Sequence, residues 1–258
     1  MNKINYNNFS LVLSGGGALG IAHLGVISDL EAKSMVPSEI IGTSMGSIIG
    51  ASLSIGMSEK DIYTLIEEFS NVFKWIRFSL RGNSIIKTAK IEKIFYSIFG
   101  NTKIKDTLIP LKIVATNLAN GDAKIFDDDT RIVDALLCSM AIPGIFEEKS
   151  LDGSIFADGF ISDNLGVKYT SFDDILAVDV LGRNSFDEEL LKSSFKTKNV
   201  LNMFERSLRL LIYNQTRKSI EQLVNKSIYL IEPNTKDYKT FQFNRYKEIR
   251  NLGKNLIE

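Results

Sequence analysis

Short apolar runs alternate with amphipathic stretches along most of the chain. The runs SLVL, EII and DILAV each end at a serine, glycine or aspartate, which is typical of buried strands that lead into turns. The stretch that follows the first run places Leu19, Ala22, Val26 and Leu30 on one face of a predicted helix. Strands that alternate with helices in this way predict an α/β sandwich with a mainly parallel sheet.

Turn and cap residues set the predicted limits of the other elements. Ser58, with Asp61 three residues later, predicts the start of a helix, and Asn120-Gly121 predicts a hairpin between two strands. Pro143 ends the helix predicted for TRIVDALLCSMA. The remaining predictions are an amphipathic helix over 87–99, a long helix over 198–226, a last strand in SIYLIE and a terminal helix from position 244.

The segment 40–58 contains no charged residue over 19 positions, close to the length of a membrane span. It also contains four glycines, five serines and one threonine. We therefore predict a buried strand, a turn and a helix here rather than a membrane helix.

Composition indicates a globular protein without metal clusters or disulfides. Lysine and arginine balance aspartate and glutamate at 31 each, which argues against a disordered or nucleic-acid-binding chain. The single cysteine, Cys138, cannot form an internal disulfide. With no apolar signal segment before Ser14, these features favour a cytoplasmic location. The length of 258 residues fits one domain, 1–258, and the oligomeric state is left open.

Two basic regions suggest a second hypothesis, namely that the protein contacts a membrane surface. Residues 196–258 hold 13 basic and 6 acidic residues, a net +7, which fits either solvated helix faces or attraction to anionic lipid. The stretch NVFKWIRFSLRG mixes basic and aromatic residues around Trp75. That mixture suits transient membrane contact. The alternative, which we favour, is a helix end that packs into the core or a lid over the pocket.

The first glycine turn, SGGGALG, follows a predicted strand and opens a helix. Its G-x-G-x-x-G spacing also occurs in dinucleotide-binding folds, which need an acidic residue at the tip of the second strand. Here Glu39 lies at the start of that strand, the wrong end to reach a ribose. The alternative is an oxyanion hole, in which the N–H groups of Gly16 and Gly17 face a developing negative charge.

The second glycine turn, GTSMG, has the G-x-S-x-G pattern of a nucleophilic serine. Ser44 lies on a sharp bend between strand and helix, and Gly42 and Gly46 flank it because side chains there would collide. The N–H of Met45 faces the same oxyanion position in this arrangement.

The general base is not obvious from the spacing, because the chain has one histidine. His23 lies within the helix after the first turn, which predicts a packing or surface role. The base is then a carboxylate, with Asp152, Asp158, Asp163 and Asp179 as candidates. Asp158 in FADGF stands out because Asp-Gly makes a turn after a short strand, although an ordinary hairpin aspartate would look the same.

The motifs GGGALG, GTSMGS and DGF, in this order and spacing, resemble the patatin-like phospholipase family. TNLANGDAKIF and SMAIPGIF add to the resemblance, which runs from about residue 9 to 180 and says little of the rest. It implies a three-layer α/β/α sandwich and hydrolysis of lipid acyl esters by a Ser–Asp dyad, without cofactor or metal. It also implies Ser44 as nucleophile, Asp158 as base, and the turn Gly15–Gly17 as oxyanion hole.

Three positions depart from the family pattern. Leu19 stands where the family commonly has arginine or lysine, Phe160 replaces a small residue after Asp-Gly, and Gly166 replaces a frequent proline. We expect these changes to affect headgroup choice or loop shape and to leave the dyad intact.

The resemblance implies hydrolysis of phospholipids or lysophospholipids through an acyl-serine intermediate. A thioesterase or acyltransferase acting on acyl-CoA-type substrates would use the same serine chemistry. A lipid-binding module with a degraded site is the alternative that is not an enzyme, and the presence of both dyad positions argues against it.

Overall fold

The computed structural model describes residues 8–73, 88–186 and 200–257. The described strands are β1 (Ser10–Leu13), β2 (Glu39–Thr43), β3 (Leu111–Asn117), β4 (Ala123–Ile125), β5 (Lys149–Leu151), β6 (Ser154–Asp158), β7 (Asp174–Val178) and β8 (Ser227–Ile231). The described α-helices are α1 (His23–Ala32), α2 (Met45–Ser54), α3 (Glu59–Phe73), α4 (Ala89–Phe99), α5 (Ile132–Ser139), α6 (Val200–Glu221) and α7 (Tyr246–Asn251).

These strands form one mainly parallel sheet. Its order is β5-β6-β3-β2-β1-β7-β8, and β4 also pairs with β3. The five strands from β3 to β8 in this order run parallel, while β4, β5 and β6 pair antiparallel. The predicted mainly parallel sheet is therefore confirmed.

Alternating residues of the central strands bury two separate apolar layers. Leu11 and Leu13 of β1 join the larger core, which contains the apolar faces of α1 to α5. Val12, between them, joins a smaller cluster on the other face, against which Ile220 of α6 packs. Helices thus cover both faces, and the expected three-layer α/β/α sandwich is confirmed.

The uncharged segment 40–58 forms most of β2, the turn at Ser44 and helix α2, as predicted. All of α2 except Leu53 is buried, so its apolar character serves the core. Within the described ranges, no helix combines the length and apolarity needed to cross a bilayer.

The turn and cap predictions are confirmed in detail. The Ser58 N–H donates to Asp61 Oδ2 at 3.1 Å, and the Asp61 N–H donates to Ser58 Oγ at 3.3 Å, a reciprocal cap at the start of α3. Gly121 has a φ of +79° in the turn between β3 and β4. The stretch around Trp75 lies mostly outside the described residues, so membrane contact there stays a prediction.

The chain after β8 folds back over the start of the chain. Gly253 packs so closely on helix α1 that an added Cβ would lie 1.9 Å from the carbonyl oxygen of Ala22. Arg250 of α7 donates two hydrogen bonds to the Glu59 carboxylate at 2.6 and 2.7 Å. The C-terminal region, about which the resemblance says little, is thereby held against the starts of α1 and α3.

Candidate active site

Ser44 occupies a strained bend between β2 and α2. Its backbone has φ 53° and ψ −122°, a region that residues with a side chain rarely adopt. A Cβ on Gly42 would lie 2.5 Å from Ser47 Cα, and one on Gly46 would lie 2.2 Å from the Leu13 carbonyl oxygen. The two flanking glycines are therefore required by close backbone approach, as the sequence predicted.

The side chains of Ser44 and Asp158 meet in the folded protein. Ser44 Oγ donates a hydrogen bond of 2.6 Å to Asp158 Oδ2, although the residues are 114 positions apart. Strand pairing explains the meeting: Thr43 of β2 pairs with Val114 of β3, and Asp158 of β6 pairs with the next residue, Ala115. Because β3 lies between β2 and β6, the ends of these two strands reach the same level of the sheet.

Asp158 is fully buried at the end of β6. Its second carboxyl oxygen, Oδ1, accepts a hydrogen bond of 3.0 Å from the backbone N–H of Phe160. Burial raises the pKa of Asp158 to about 7, although the hydrogen bonds from Ser44 and Phe160 favour the charged form. A carboxyl with this pKa can accept and release a proton near neutral pH.

A pair of buried hydroxyls supports the bend behind Ser44. The backbone N–H of Ser44 donates to Ser139 Oγ at 2.8 Å, and Ser139 Oγ donates to the Val114 carbonyl at 2.6 Å. Ser47 Oγ donates to the Ser44 carbonyl at 2.6 Å. These bonds tie the strained residue to α2, α5 and β3, so its position does not depend on its own turn alone.

Two of the other three candidate carboxylates have partners elsewhere. Asp152 lies in an exposed turn, and buried Asp163 accepts from the Gly166 N–H at 2.9 Å and pairs with Lys168. Buried Asp179 accepts from the Leu181 N–H at 3.0 Å. Within the described part of the chain, Asp158 is the carboxylate that contacts Ser44 Oγ.

His23 is a packing residue, one of the two roles that the sequence predicted. Its ring is fully buried, and Nε2 donates a hydrogen bond of 2.9 Å to the Ser14 carbonyl. Burial lowers the pKa of His23 to about 4, so the ring is neutral near pH 7. Among the described residues, Ser44 Oγ has its bond to Asp158 and none to this imidazole.

The first glycine turn lies beside Ser44, and its three glycines differ. An added Cβ on Gly15 would lie 3.1 Å from Ser44 Cβ, which shows how closely the turns approach. The Gly15 N–H is already used, because it donates to the backbone carbonyl of Asn164 at 3.2 Å. Within the described ranges, the N–H groups of Gly16, Gly17 and Met45 have no protein acceptor. Of the three glycines that the resemblance implied as an oxyanion hole, Gly16 and Gly17 therefore remain the candidate donors.

The surroundings of Glu39 do not fit the hypothesis of a dinucleotide-binding site. This residue lies at the start of β2 and accepts from Ser10 Oγ at 2.7 Å and Lys112 Nζ at 2.9 Å. It lies at the opposite end of β2 from Ser44. The third glycine of the motif, Gly20, packs on Met45, since a Cβ there would lie 2.6 Å from Met45 Cγ.

An apolar cleft opens at Ser44. Apart from Gly17 and Ser44, the residues that line it are apolar: Met45, Ile48, Met140, Ile142, Phe146, Phe241 and Phe243. Such a lining accepts a hydrocarbon chain and offers few groups to bind a polar ligand.

The three departures from the family pattern have local explanations. Leu19 is fully buried, so a charged side chain there would lack solvent. The Phe160 N–H serves the Asp158 carboxylate, a role that the side chain does not determine. Gly166 has a φ of +71°, which a proline cannot adopt.

Several residues of the site were not found from the sequence. Ser139 lies in SMAIPGIF, but nothing in that stretch indicates a hydrogen bond to an amide 95 positions away. Phe241 and Phe243 reach the cleft from a segment with little regular structure. The alternating aromatics of FQF are the one feature that could have suggested an apolar wall.

Sequence comparison relates the chain to longer proteins. The family model described as patatin-like phospholipase matches residues 11–170. Lysophospholipase NTE1 of Lodderomyces elongisporus is 30% identical over 268 residues, which cover 94% of this chain and 18% of that protein. Lysophospholipase NTE1 of Saccharomyces cerevisiae is 27% identical, and the alignment covers 94% of this chain and 16% of that protein. The chain thus spans less than a fifth of the length of these relatives.

Two solved structures share the fold. VipD from Legionella pneumophila superposes with a TM-score of 0.55 at 17% identity, covering 96% of this chain and 65% of VipD. The type III effector protein ExoU superposes with a TM-score of 0.50 at 16% identity, covering 96% of this chain and 52% of ExoU. The family model covers more than half of the chain and includes both glycine turns, Ser44 and Asp158. The chain therefore belongs to the patatin-like phospholipase family.

Proposed function

We propose that this protein is a lipid acyl hydrolase that cleaves carboxylic esters through an acyl-serine intermediate, with Ser44 as nucleophile and Asp158 as general base. The observation that carries the proposal is the hydrogen bond of 2.6 Å from Ser44 Oγ to Asp158 Oδ2 at the end of an apolar cleft. Membership of the patatin-like phospholipase family supports the same chemistry.

The proposed reaction begins when Ser44 Oγ attacks the ester carbonyl while Asp158 takes the hydroxyl proton. The tetrahedral intermediate collapses as Asp158 returns that proton to the departing alcohol, which leaves the acyl group on Ser44. A water then gives a proton to Asp158 and attacks the acyl-serine, and the fatty acid leaves as Ser44 regains its proton. General-base help of this kind contributes roughly 10²–10⁴-fold to the rate.

The N–H groups of Gly16, Gly17 and Met45 are the proposed donors to the tetrahedral oxyanion. Gly17 and Met45 line the cleft at Ser44, and Met45 begins α2, where the helix dipole favours negative charge. Each such donor is worth about 3–4 kcal/mol in the transition state.

Phospholipids or lysophospholipids are the proposed substrates. The apolar lining of the cleft suits an acyl chain, and two relatives are named lysophospholipases. A thioesterase or acyltransferase on acyl-CoA-type substrates is the alternative enzyme, because the same Ser44 chemistry serves it. A lipid-binding module without turnover is the alternative that is not an enzyme.

Active-site labelling followed by product analysis separates these hypotheses. We expect a fluorophosphonate probe to label the wild-type protein at Ser44, and a Ser44→Ala variant to remain unlabelled while it keeps its fold. Ser97→Ala, which changes an exposed serine on α4, is the matched control and should label normally. Unchanged turnover in Ser44→Ala would remove the assignment.

The substrate class follows from a mixed panel of phospholipids, lysophospholipids, neutral glycerides and acyl-CoA. Release of fatty acid from the first two classes supports the proposal. Preferential release from acyl-CoA, or transfer to an added alcohol, would establish the alternative enzyme. Binding of lipid without labelling or turnover would establish the lipid-binding module.

A further inference from the structure

The segment Tyr238–Phe243, here called the strap, crosses the first glycine turn and lies outside the region that the family model matches. We propose that the strap determines which acyl-chain lengths the enzyme accepts, with Phe241 as the specificity-determining residue and Glu205 and Arg209 of α6 as its anchor. This inference rests on the proposed function, because it concerns the acyl group that Ser44 would receive.

The strap is joined to the glycine turn by its backbone. The Ala18 N–H donates a hydrogen bond of 2.7 Å to the Thr240 carbonyl. A Cβ on Gly17 would lie 2.4 Å from the same carbonyl oxygen, so only glycine leaves room for the strap at that position. The strap therefore lies in direct contact with Gly17, one of the proposed oxyanion donors, and this contact sets its location relative to Ser44.

The strap is anchored to α6 by a charged pair that is mostly removed from solvent. Glu205 Oε1 accepts from the Thr240 N–H at 3.0 Å, from Thr240 Oγ1 at 2.8 Å and from Arg209 Nη2 at 2.8 Å. Arg209 Nη2 also donates to Thr240 Oγ1 at 3.1 Å and to the Tyr238 carbonyl at 3.2 Å. One carboxylate and one guanidinium thus hold two residues of the strap.

The anchor stays charged at neutral pH. Burial by itself would raise the pKa of Glu205, but the Arg209 guanidinium and the bonds from Thr240 keep it below its usual value. Arg209 is only 8% exposed, so removal of Glu205 would leave its charge with little solvent and few partners. The strap is therefore fixed by interactions that a single substitution can release.

The residues that follow the anchored Thr240 form one wall of the cleft. Phe241 and Phe243 line it together with Met140, Ile142 and Phe146, which come from the chain after α5. Phe243 is buried, while Phe241 is partly exposed and packs against the edge of the core. A change of volume at Phe241 should therefore alter the space for the acyl chain with less effect on folding than a change at Phe243.

Differences of one or a few methylenes in an apolar pocket change kcat/KM by about 10–200-fold. A smaller side chain at Phe241 opens space for a longer chain, and a larger one takes that space away. Loss of the anchor should have a different effect. A strap that is free to shift would admit chains of many lengths. The values of kcat/KM should then become similar for all chain lengths, without a new preferred length.

The test uses p-nitrophenyl esters of straight-chain acids from four to sixteen carbons, which keep the leaving group constant. We expect the ratio of kcat/KM for the long over the short esters to rise about tenfold in Phe241→Ala and to fall about tenfold in Phe241→Trp. In Glu205→Ala the ratio should move toward one. Asn244→Ala, an exposed change just after the strap, is the matched control and should keep the wild-type ratio.

Two outcomes would overturn the inference. Folded, active Phe241→Ala and Phe241→Trp proteins whose ratios stay within twofold of wild type would show that the strap does not select the acyl chain. If Phe241→Ala does not fold, Phe241→Trp and Phe241→Leu give the same comparison. A wild-type protein that hydrolyses none of the esters and is not labelled at Ser44 would instead remove the proposed function, and the inference with it.

Discussion

The backbone N–H of Ser44 donates a hydrogen bond of 2.8 Å to the side-chain oxygen of Ser139, which in turn donates to the Val114 carbonyl. This hydroxyl is fully buried, so no water replaces it when it is removed. It connects the strained residue of the site with strand β3, on whose other side Asp158 lies.

We predict that Ser139→Ala destabilises the protein by about 1–3 kcal/mol, because it leaves a buried amide and a buried carbonyl without their partner. We also expect kcat to fall by about tenfold with little change in KM, since the bend that presents Ser44 loses a support. Denaturant unfolding and steady-state kinetics measure both effects. Ser97→Ala, an exposed helix serine, should change neither, and a Ser139→Ala protein with wild-type kcat would contradict the positioning role.

Ser44 itself is predicted to store backbone strain. Ser44→Gly and Ser44→Ala both remove the hydroxyl, but only glycine adopts φ 53° without a penalty. The strain of about 1–3 kcal/mol exceeds the roughly 0.4–1 kcal/mol by which glycine favours the unfolded chain. Ser44→Gly should therefore unfold at a higher denaturant concentration than Ser44→Ala. Equal or reversed stabilities would show that the bend is not strained.

The pH dependence of activity should follow the ionisation of Asp158, whose pKa burial raises to about 7. Because a general base acts in its charged form, kcat/KM should rise tenfold per pH unit below about pH 7 and level off above it. If His23, with a pKa of about 4, were the base instead, kcat/KM would rise at a much lower pH. A profile that is flat from pH 5 to 9 would argue against Asp158 as the base.

The same burial predicts how stability depends on pH. The pKa of Asp158 is about 7 in the folded protein against 3.8 unfolded, so between these values the folded state holds the extra proton. Asp158 should therefore lower the free energy of unfolding as pH rises from about 4 to 7, by up to about 4 kcal/mol, and add no further change above that pH. Asp158→Asn should remove this part of the decrease, keep the part that is due to Asp179, and be more stable than wild type at pH 8.

Asp179 provides the matched control for that experiment. Its pKa is also raised to about 7, mainly by burial, with Glu232 adding to the shift. Asp179→Asn should therefore give a similar gain in stability at pH 8, while it keeps the activity profile of the wild type because Asp179 does not contact Ser44. A profile that changes in Asp179→Asn and not in Asp158→Asn would exchange the roles assigned to the two residues.

His23 is predicted to be dispensable for the chemistry. His23→Gln keeps a donor that can reach toward the Ser14 carbonyl, so we expect a loss of stability of about 1–2 kcal/mol and a kcat within threefold of wild type. The rate should be expressed per site labelled by fluorophosphonate, which corrects for unfolded protein. A loss of kcat of a hundredfold or more per labelled site would show that the imidazole takes part in proton transfer.

Much of the fold could be predicted from local pattern. The alternation of apolar runs with amphipathic stretches predicted the parallel sheet, and the Ser58–Asp61 cap and the turn at Gly121 were found from short-range rules alone. The bend at Ser44 belongs to the same class, because Gly42 and Gly46 leave few other conformations for that stretch. These features depend on residues within a few positions of each other, which a sequence displays directly.

The arrangement of the site could not be predicted from local pattern, because its residues are far apart in the sequence. The spacing of the residues left Asp158 as one of four candidate carboxylates, and the family resemblance implied it as the base. Strand pairing places it next to Ser44, with β3 between their strands. Ser139 and the strap at Thr240 come from parts of the chain that are 95 and 196 positions from Ser44. The raised pKa of Asp158 likewise follows from burial, which is a property of the assembled layers.

The sequence by itself determined the fold class, the position of the candidate nucleophile and the glycines that the bend requires, because steric limits on the backbone act over a few residues. Only the tertiary structure decided which acid meets Ser44, which glycine N–H groups have no protein acceptor and which aromatic side chains line the cleft. Those relationships arise when the sheet brings distant strand ends to one edge.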